Sequence, residues 1–362
     1  MKLIYFTSMR YPADNGMKIY ARELAKEFTK VLKEKFIFVV ANNFSDELKD
    51  INCLNLALKI KKFRSPFFFF WIPYFVFISR KEKDLVFFSN DTFLLTFLIF
   101  WKKFLRFNYR ICSDWHHLHY NKKEKFIIRN SDALITTSRR LKDDLIKLGE
   151  VPGDNIFFAY GGVNLNIYND TFFSNQASLG LPEGKNLIGY IGYFKTFGLE
   201  KGIPTMIRAL ALLSDEFAMA FVGGKNDEIR EYTELAKAHG VEARCFFFGV
   251  KKGDEVAQYQ MSMDIIAIPY PDQPGFGYPM KVYEYMASRR PIIYSKLGLV
   301  EEVIGDCAYP FIPGDSSSFA EAVLKIANNK KEADKHVLQA YEKVKGYSWE
   351  SKAIKITDFL TK

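Results

Sequence analysis

Residues 275–295 read GFGYPMKVYEYMASRRPIIYS, and the rest of the chain is organised around them. Glycines and a proline open the stretch, and a helix-like run follows. Val282, Tyr285 and Met286 fall on one face by i, i+3, i+4 spacing, while Glu284 turns to another side. Pro291 ends the helix, and Ile292, Ile293 and Tyr294 read as the next strand. In an alternating α/β chain, a tight loop feeding a helix receives phosphate oxygens, because free N–H groups and the positive helix end point there. The expectation is a site for a diphosphate compound. The plainer alternative is an ordinary loop and helix of a doubly wound domain.

Upstream of this stretch the pattern repeats strand, loop, helix. Residues 187–194, LIGYIGYF, form a strand with Gly189 and Gly192; a loop follows through Lys195, Gly198 and Lys201-Gly202, and Pro204 opens a helix through Leu213. Residues 217–222 are a strand ending in Gly223-Gly224, residues 245–248 lead to Gly249, and residues 265–268 enter the opening stretch. In the first half, residues 3–6 and 36–40 are strands around a helix that follows Asn15-Gly16. Gly16 suits a close approach to a ligand or simple relief of a turn. Residues 109–113 are a strand delivering Asp114, Trp115, His116 and His117, with His119 close behind. A cleft histidine, an exposed loop and a metal cluster are the three readings of HHxH; adjacent residues converge poorly on one ion, so no metal is expected. Ser138 caps a helix that ends at Gly149, and residues 169–185 are the best linker.

The 362 residues suggest two domains, with 48% hydrophobic residues to fill two cores and 26% charged residues against general disorder. The four cysteines are far apart, as in a reducing compartment. Residues 1–175 hold 28 Lys and Arg against 18 Asp and Glu, a net +10 of the chain's +9, so the remainder is close to neutral. A basic first half faces something anionic: phosphorylated lipid, a membrane surface or nucleic acid. Residues 60–83 place the aromatic run FFFFWIPYFVF between cations. That pattern suits a segment lying at a lipid interface, or a buried helix flanked by solvated charge. The run is shorter than the roughly 18 residues of a membrane span. Neither GxGxxG nor GxxxxGK[ST] occurs, against a nicotinamide enzyme and a P-loop hydrolase.

Taken together, these features resemble the retaining glycosyltransferases of family 4, the glycosyl transferases of group 1, over nearly the whole chain. The likeness is best in the second half and at ALITTSRRLKDDLIKLG with YGGVN (residues 133–149 and 160–164). It implies the GT-B fold: two Rossmann-like doubly wound α/β domains facing each other across a cleft. Residues 1–170 would bind the acceptor, 186–345 the nucleotide sugar, and the helix at 346–362 would pack back on the first domain. Gly16 matches the second glycine of the family's Gly-Gly turn, near the donor phosphates. His116 looks like the family's cleft histidine, with His117 the alternative register. Gly192 matches the glycine of a Gly-Arg pair, Lys201-Gly202 the Lys-Gly whose lysine grips the diphosphate, and Gly223 and Gly249 turns bordering the nucleotide. Glu284 looks like the second glutamate of Glu-x7-Glu, which binds ribose hydroxyls; the turn Tyr278-Pro279-Met280 would border the phosphates, with backbone donors from Tyr278 and Met280, and Lys281 would add positive charge.

Two positions depart from the pattern. Tyr193 stands where the arginine is expected, removing a bidentate clamp, and Phe276 stands where the first glutamate is expected. Contacts to the donor sugar would then come from around Asp272 and Gln273. The resemblance implies a UDP-sugar or GDP-sugar donor, no cofactor and no metal. The net +10 of the first half and the aromatic segment at 67–77 suggest as acceptor a glycan or lipid-linked intermediate of polysaccharide or lipopolysaccharide synthesis. The expectation is a cytoplasmic protein, peripheral at the inner face of the membrane, with no nucleic acid partner. Rival readings are a nucleic-acid binder using the basic half, and a GT-B epimerase or phosphorylase.

Overall fold

A computed structural model describes residues 1–13, 16–57, 64–169, 176–196, 198–272 and 280–362. They divide into two compact units, Met1–Gly162 with Trp349–Lys362, and Val163–Ser348.

In unit 1 strands and helices alternate: β1 (Lys2–Tyr11), α1 (Gly16–Leu32), β2 (Phe36–Asn43), β3 (Cys53–Asn55), α2 (Arg64–Ile78), β4 (Leu85–Ser89), α3 (Thr92–Leu105), β5 (Arg110–Trp115), α4 (Lys122–Asn130), β6 (Ala133–Thr136), α5 (Arg139–Gly149) and β7 (Ile156–Phe158). Among the described residues the seven strands pair in parallel in the order β3-β2-β1-β4-β5-β6-β7. The chain therefore reverses its direction of travel between β1 and β4, and a crevice opens beyond the carboxyl ends of those strands. Helix starts are chemically marked. The Asp91 carboxylate accepts from Phe93 N and Leu94 N at the head of α3, and Asn121 and Glu124 form a reciprocal capping box on α4. Ser138 caps α5 through Leu141 N, and α5 ends at Gly149. The left-handed residue there is Glu150, with φ 54°. Gly149 is needed for space instead: a Cβ on it would lie 2.2 Å from Ile128 Cγ2.

The phenylalanine excess of the first half builds the core. Phe6 stacks on Phe87 at 5.5 Å and meets Phe68 and Phe75 of α2 edge-on at 5.8 and 5.2 Å. All four rings are buried, and burying each one stabilises the fold by about 1.5–3 kcal/mol.

Unit 2 runs β8 (Asn186–Ile191), a small antiparallel pair β9 (Lys195–Thr196) and β10 (Leu199–Glu200), α6 (Ile203–Leu210), β11 (Phe217–Gly224), α7 (Asn226–Ala238), β12 (Cys245–Gly249), α8 (Asp254–Met261), β13 (Ile265–Ile268), α9 (Lys281–Ala287), β14 (Ile292–Ser295), α10 (Gly298–Ile304), β15 (Tyr309–Phe311), α11 (Ser316–Asn328) and α12 (Lys330–Lys345). Its six described parallel strands lie in the order β12-β11-β8-β13-β14-β15. The switch point falls between β8 and β13. Helix α6 stops at Leu210, short of Leu213.

The change of unit falls at Gly162, earlier than position 170, because residues beyond it are tied into unit 2. Val163 N donates to Tyr347 O at 3.2 Å, and the Tyr168 hydroxyl donates to Gln260 at 2.6 Å. The last helix, α13 (Trp349–Thr361), belongs to unit 1 and packs on α1. Trp349 meets Tyr20 at 5.4 Å, and Phe359 stacks on Phe157 at 5.2 Å. No described helix is long and apolar enough to cross a membrane.

Candidate functional site

Each unit gathers polar chemistry at its own switch point. In unit 2, β8 runs out at Ile191, and the second tyrosine of α9 holds the helix to that strand end. The Tyr285 hydroxyl accepts from Ile191 N at 2.9 Å and donates to Ile191 O at 3.1 Å. The next residue, Gly192, has φ 147°. A Cβ there would lie 2.2 Å from Lys281 Nζ, and a Cβ on Gly223 (φ 119°) would lie 2.4 Å from Gly192 O. Two glycines thus let two backbone segments and the first residue of α9 crowd into one place.

The side chains brought there are Lys201, Lys281 and Glu284. The Lys281 ammonium sits 3.9 Å from the centroid of the Tyr190 ring, and Lys201 Nζ sits 5.0 Å from that of Tyr270. Burial pushes Lys281 down to about 7; the Lys201 charge pushes the same way and Glu284 opposes. Burial pushes Lys201 down to about 8, with Glu200 opposing. Burial raises the Glu284 carboxyl, against a hydrogen bond from Gln260 and the charge of Lys281. Gln260 Nε2 donates to Glu284 Oε2 at 3.2 Å, while Gln260 Oε1 accepts from the Tyr168 hydroxyl at 2.6 Å. Burial thus disfavours the charged form of both lysines before any ligand enters, and an arriving oligophosphate would favour their protonated form.

Other residues named from sequence fall elsewhere. Gly202 is explained by packing and capping: its N–H donates to Glu200 Oε2 at 2.8 Å, Ile203 N donates to Glu200 Oε1 at 2.9 Å, and a Cβ would lie 1.7 Å from Pro269 O. The N-terminus of α6 is thus satisfied within the chain. Gly249 ends the edge strand β12, with β11 between it and β8, and has open space around its Cα. Gly16, at the start of α1, is equally open. Met280 precedes α9 as its N-cap residue. Tyr278 and Pro279 lie outside the described residues, as do Phe276 and Gln273. Tyr193 has an exposed side chain, and its carbonyl accepts from the Tyr190 hydroxyl at 2.8 Å. Sequence reasoning passed over Gln260, Tyr168, Tyr190 and Glu200. No local motif marks them, since each acts across space.

Unit 1 has a cavity of about 500 Å³ beyond β1, β4 and β5, lined by Ser8, Asn90, Asp91, His116, His117 and Lys123 among others. Asp91 accepts from the Ser8 hydroxyl, and both polar atoms of the Asn90 amide are buried without a partner. His116 faces inward: its Nε2 lies 3.2 Å from Asp114 Oδ2, and its ring meets Tyr20 edge-on at 4.3 Å. Beneath them is Lys352 of α13, pushed down to about 8 by burial with the Asp114 charge opposing. It donates to Ala159 O at 3.3 Å and lies 4.6 Å from the Tyr20 ring centroid. His117 is held below the usual imidazole value by burial and by its two histidine neighbours, and the His119 side chain is mostly exposed. Among the described residues no group of three or more His, Cys, Asp and Glu side chains is placed to hold a metal ion.

Comparison with known proteins fits this architecture. Residues 185–329 match the family described as glycosyl transferases group 1. An uncharacterized glycosyltransferase of Methanocaldococcus jannaschii is 27% identical over 239 residues, 61% of this chain and 57% of that protein, so the match spans little more than half the relative's length. Among solved structures, the Anabaena protein HepE in complex with UDP aligns over 100% of both chains with a TM-score of 0.78 at 17% identity. A glycosyltransferase from Rickettsia africae aligns over 99% of this chain and 97% of its own with a TM-score of 0.80 at 16% identity.

Proposed function

From a GT-B fold whose residues 185–329 match the group 1 glycosyl transferases, we propose that the chain moves a sugar from a nucleoside-diphosphate sugar to an acceptor hydroxyl. The observation that carries this reading is the convergence of Lys201, Lys281 and Glu284 on the Gly192–Gly223 crossing at the switch point of unit 2. Unit 2 is the donor-binding unit, and the cavity of unit 1 with His116 takes the acceptor. The two lysines neutralise the diphosphate as the glycosidic C–O bond breaks, and Glu284, steadied by Gln260, accepts from ribose hydroxyls. The acceptor hydroxyl attacks the oxocarbenium-like centre from the face the diphosphate leaves. A phosphate oxygen takes its proton, so configuration is retained with no enzyme nucleophile. Nothing in this route requires a metal.

The acceptor, on this reading, is a glycan or lipid-linked intermediate, and the protein works at the inner face of a cell membrane; the net +10 of residues 1–175 supports that placement. Incubation with UDP- or GDP-sugars and candidate glycolipid acceptors, with the product anomer read by NMR, tests the proposal. An acceptor-dependent product with the donor's anomeric configuration is expected. Inversion, or turnover of the donor to an epimer without acceptor, would refute it.

A further inference from the structure

The outer faces of α2 and α3 do not look like the outside of a water-facing helix. On α2 the rings at 68 and 75 and Ile72 are buried against the sheet, yet the opposite stripe is also aromatic. Phe67, Phe70, Tyr74 and Phe77 recur at helical spacing and are exposed, Phe70 to 73% and Phe77 to 61%. On α3, Leu94, Leu95, Leu98 and Ile99 face inward while Phe93, Phe100 and Phe104 face out, Phe104 to 67%. The two helices form one surface: Phe69 of α2 contacts Phe97, Phe100 and Trp101 of α3 at 5.3, 5.5 and 4.7 Å, and the Trp101 indole N–H donates to Phe69 O at 2.8 Å.

Cations are interleaved with these rings. Arg80 lies 4.3 Å from the centroid of Phe77, Lys123 3.4 Å from that of Phe93, and Lys103 5.4 Å from that of Phe126 on α4. Lys81, Lys83 and Arg106 are exposed at the helix ends. Of the acids nearby, Asp132 is taken up by Lys102 at 2.7 Å, and Glu82 stands among the cations. A contiguous ring surface of this kind is seldom left against water. Two copies meeting face to face would oppose cation to cation. A flat surface of apolar chains under anionic head groups complements both features at once, rings inserted and lysines at the head-group level.

We propose that unit 1 docks through the outer faces of α2 and α3 on a bilayer carrying anionic lipid. This deepens the reading of a membrane-borne acceptor and rests on it for its purpose, but vesicle binding needs neither donor nor acceptor and so stands or falls separately. The test is flotation of the full chain at low salt with vesicles of phosphatidylcholine alone and of phosphatidylcholine with phosphatidylglycerol. Binding to the mixed vesicles should be at least about tenfold stronger than to the neutral ones. Replacing Phe70, Phe77 and Phe104 together by Ser should weaken it about tenfold or more. The exposed pair Lys103→Glu and Arg106→Glu should weaken it at low salt and lose most of that effect at high salt. If the triple variant melts early by circular dichroism, the charge pair alone decides. Equal binding to both vesicle types, no binding to either, or variants that dissociate an oligomer while leaving flotation unchanged would overturn the proposal.

Discussion

The two switch points solve opposite problems. In unit 2 the backbone itself makes the site: left-handed glycines at 192 and 223 let Lys281 lie against the end of β8, and burial lowers the pKa values of Lys281 and Lys201 to about 7 and 8. In unit 1 no glycine is among the described lining residues, and side chains define the cavity: a Ser8–Asp91 pair, an unpartnered Asn90 amide, and His116 against Asp114. A site fixed by glycine geometry accepts little variation, which suits a constant ligand such as a diphosphate. One built from interchangeable side chains can be retuned, which suits an acceptor that differs from protein to protein.

The contrast can be broken most severely at Lys352. Replacing it by Met removes the buried ammonium that feels the Asp114 charge and leaves Ala159 O without its hydrogen bond, and should destabilise the protein by about 1.5–3 kcal/mol in urea unfolding. Affinity for nucleotide, which we propose belongs to unit 2, should be unchanged wherever the variant is folded. Gly192→Ala is the reverse case. Its φ of 147° and the contact with Lys281 Nζ predict about tenfold to hundredfold weaker nucleotide binding by calorimetry, with about 1–3 kcal/mol of strain.

A smaller effect separates the units by pH. Lys281 and Lys201 have folded values near 7 and 8, below the ordinary lysine value. The unfolded chain therefore binds more protons between those values and about 10.4, and their contribution to stability rises with pH through that window. Nucleotide binding runs the other way, because an anion selects the protonated lysines. Affinity should fall from pH 7 to 9 with proton uptake on binding, and Lys281→Met should flatten that fall. The smallest expected effect is Gly249→Ala. With open space around the Cα and no contact to the lysine cluster, neither stability nor nucleotide affinity should move by more than about 0.5 kcal/mol. A large loss would place Gly249 at the ligand after all.

Much of this was legible in the chain because the signals are local. Alternating strands and helices announce a doubly wound fold, and Ser138 and Gly149 bracket α5 in sequence as they do in space. Gly192 follows the apolar strand β8 and Gly223 stands at the end of β11, where a left-handed residue has few other purposes. Lys-Gly at 201–202 shows the limit of the same logic. The lysine does reach the cluster, but the Gly202 N–H is taken by a glutamate two residues earlier and its Cα by Pro269, and no spacing rule reveals either contact. The support of Glu284 by Gln260 and Tyr168 joins three segments distant in sequence, and Lys352 reaches His116's neighbourhood from the far end of the chain. The aromatic run at 67–77 left a lipid interface and a buried helix both open. One face of α2 is buried in the core, and the other is exposed and aromatic, the face for which a lipid interface is proposed.

On the proposed reading, a nucleoside diphosphate is held by the lysine pair beside Gly192. Calorimetric titration of the intact chain with UDP and GDP at pH 6.5 and 9, repeated with Lys281→Met, tests it most directly. Saturable binding of at least one nucleotide, weaker at pH 9 and losing most of that pH dependence in the variant, is the expected result. Binding of neither nucleotide, or binding with an identical pH dependence in both proteins, would contradict it.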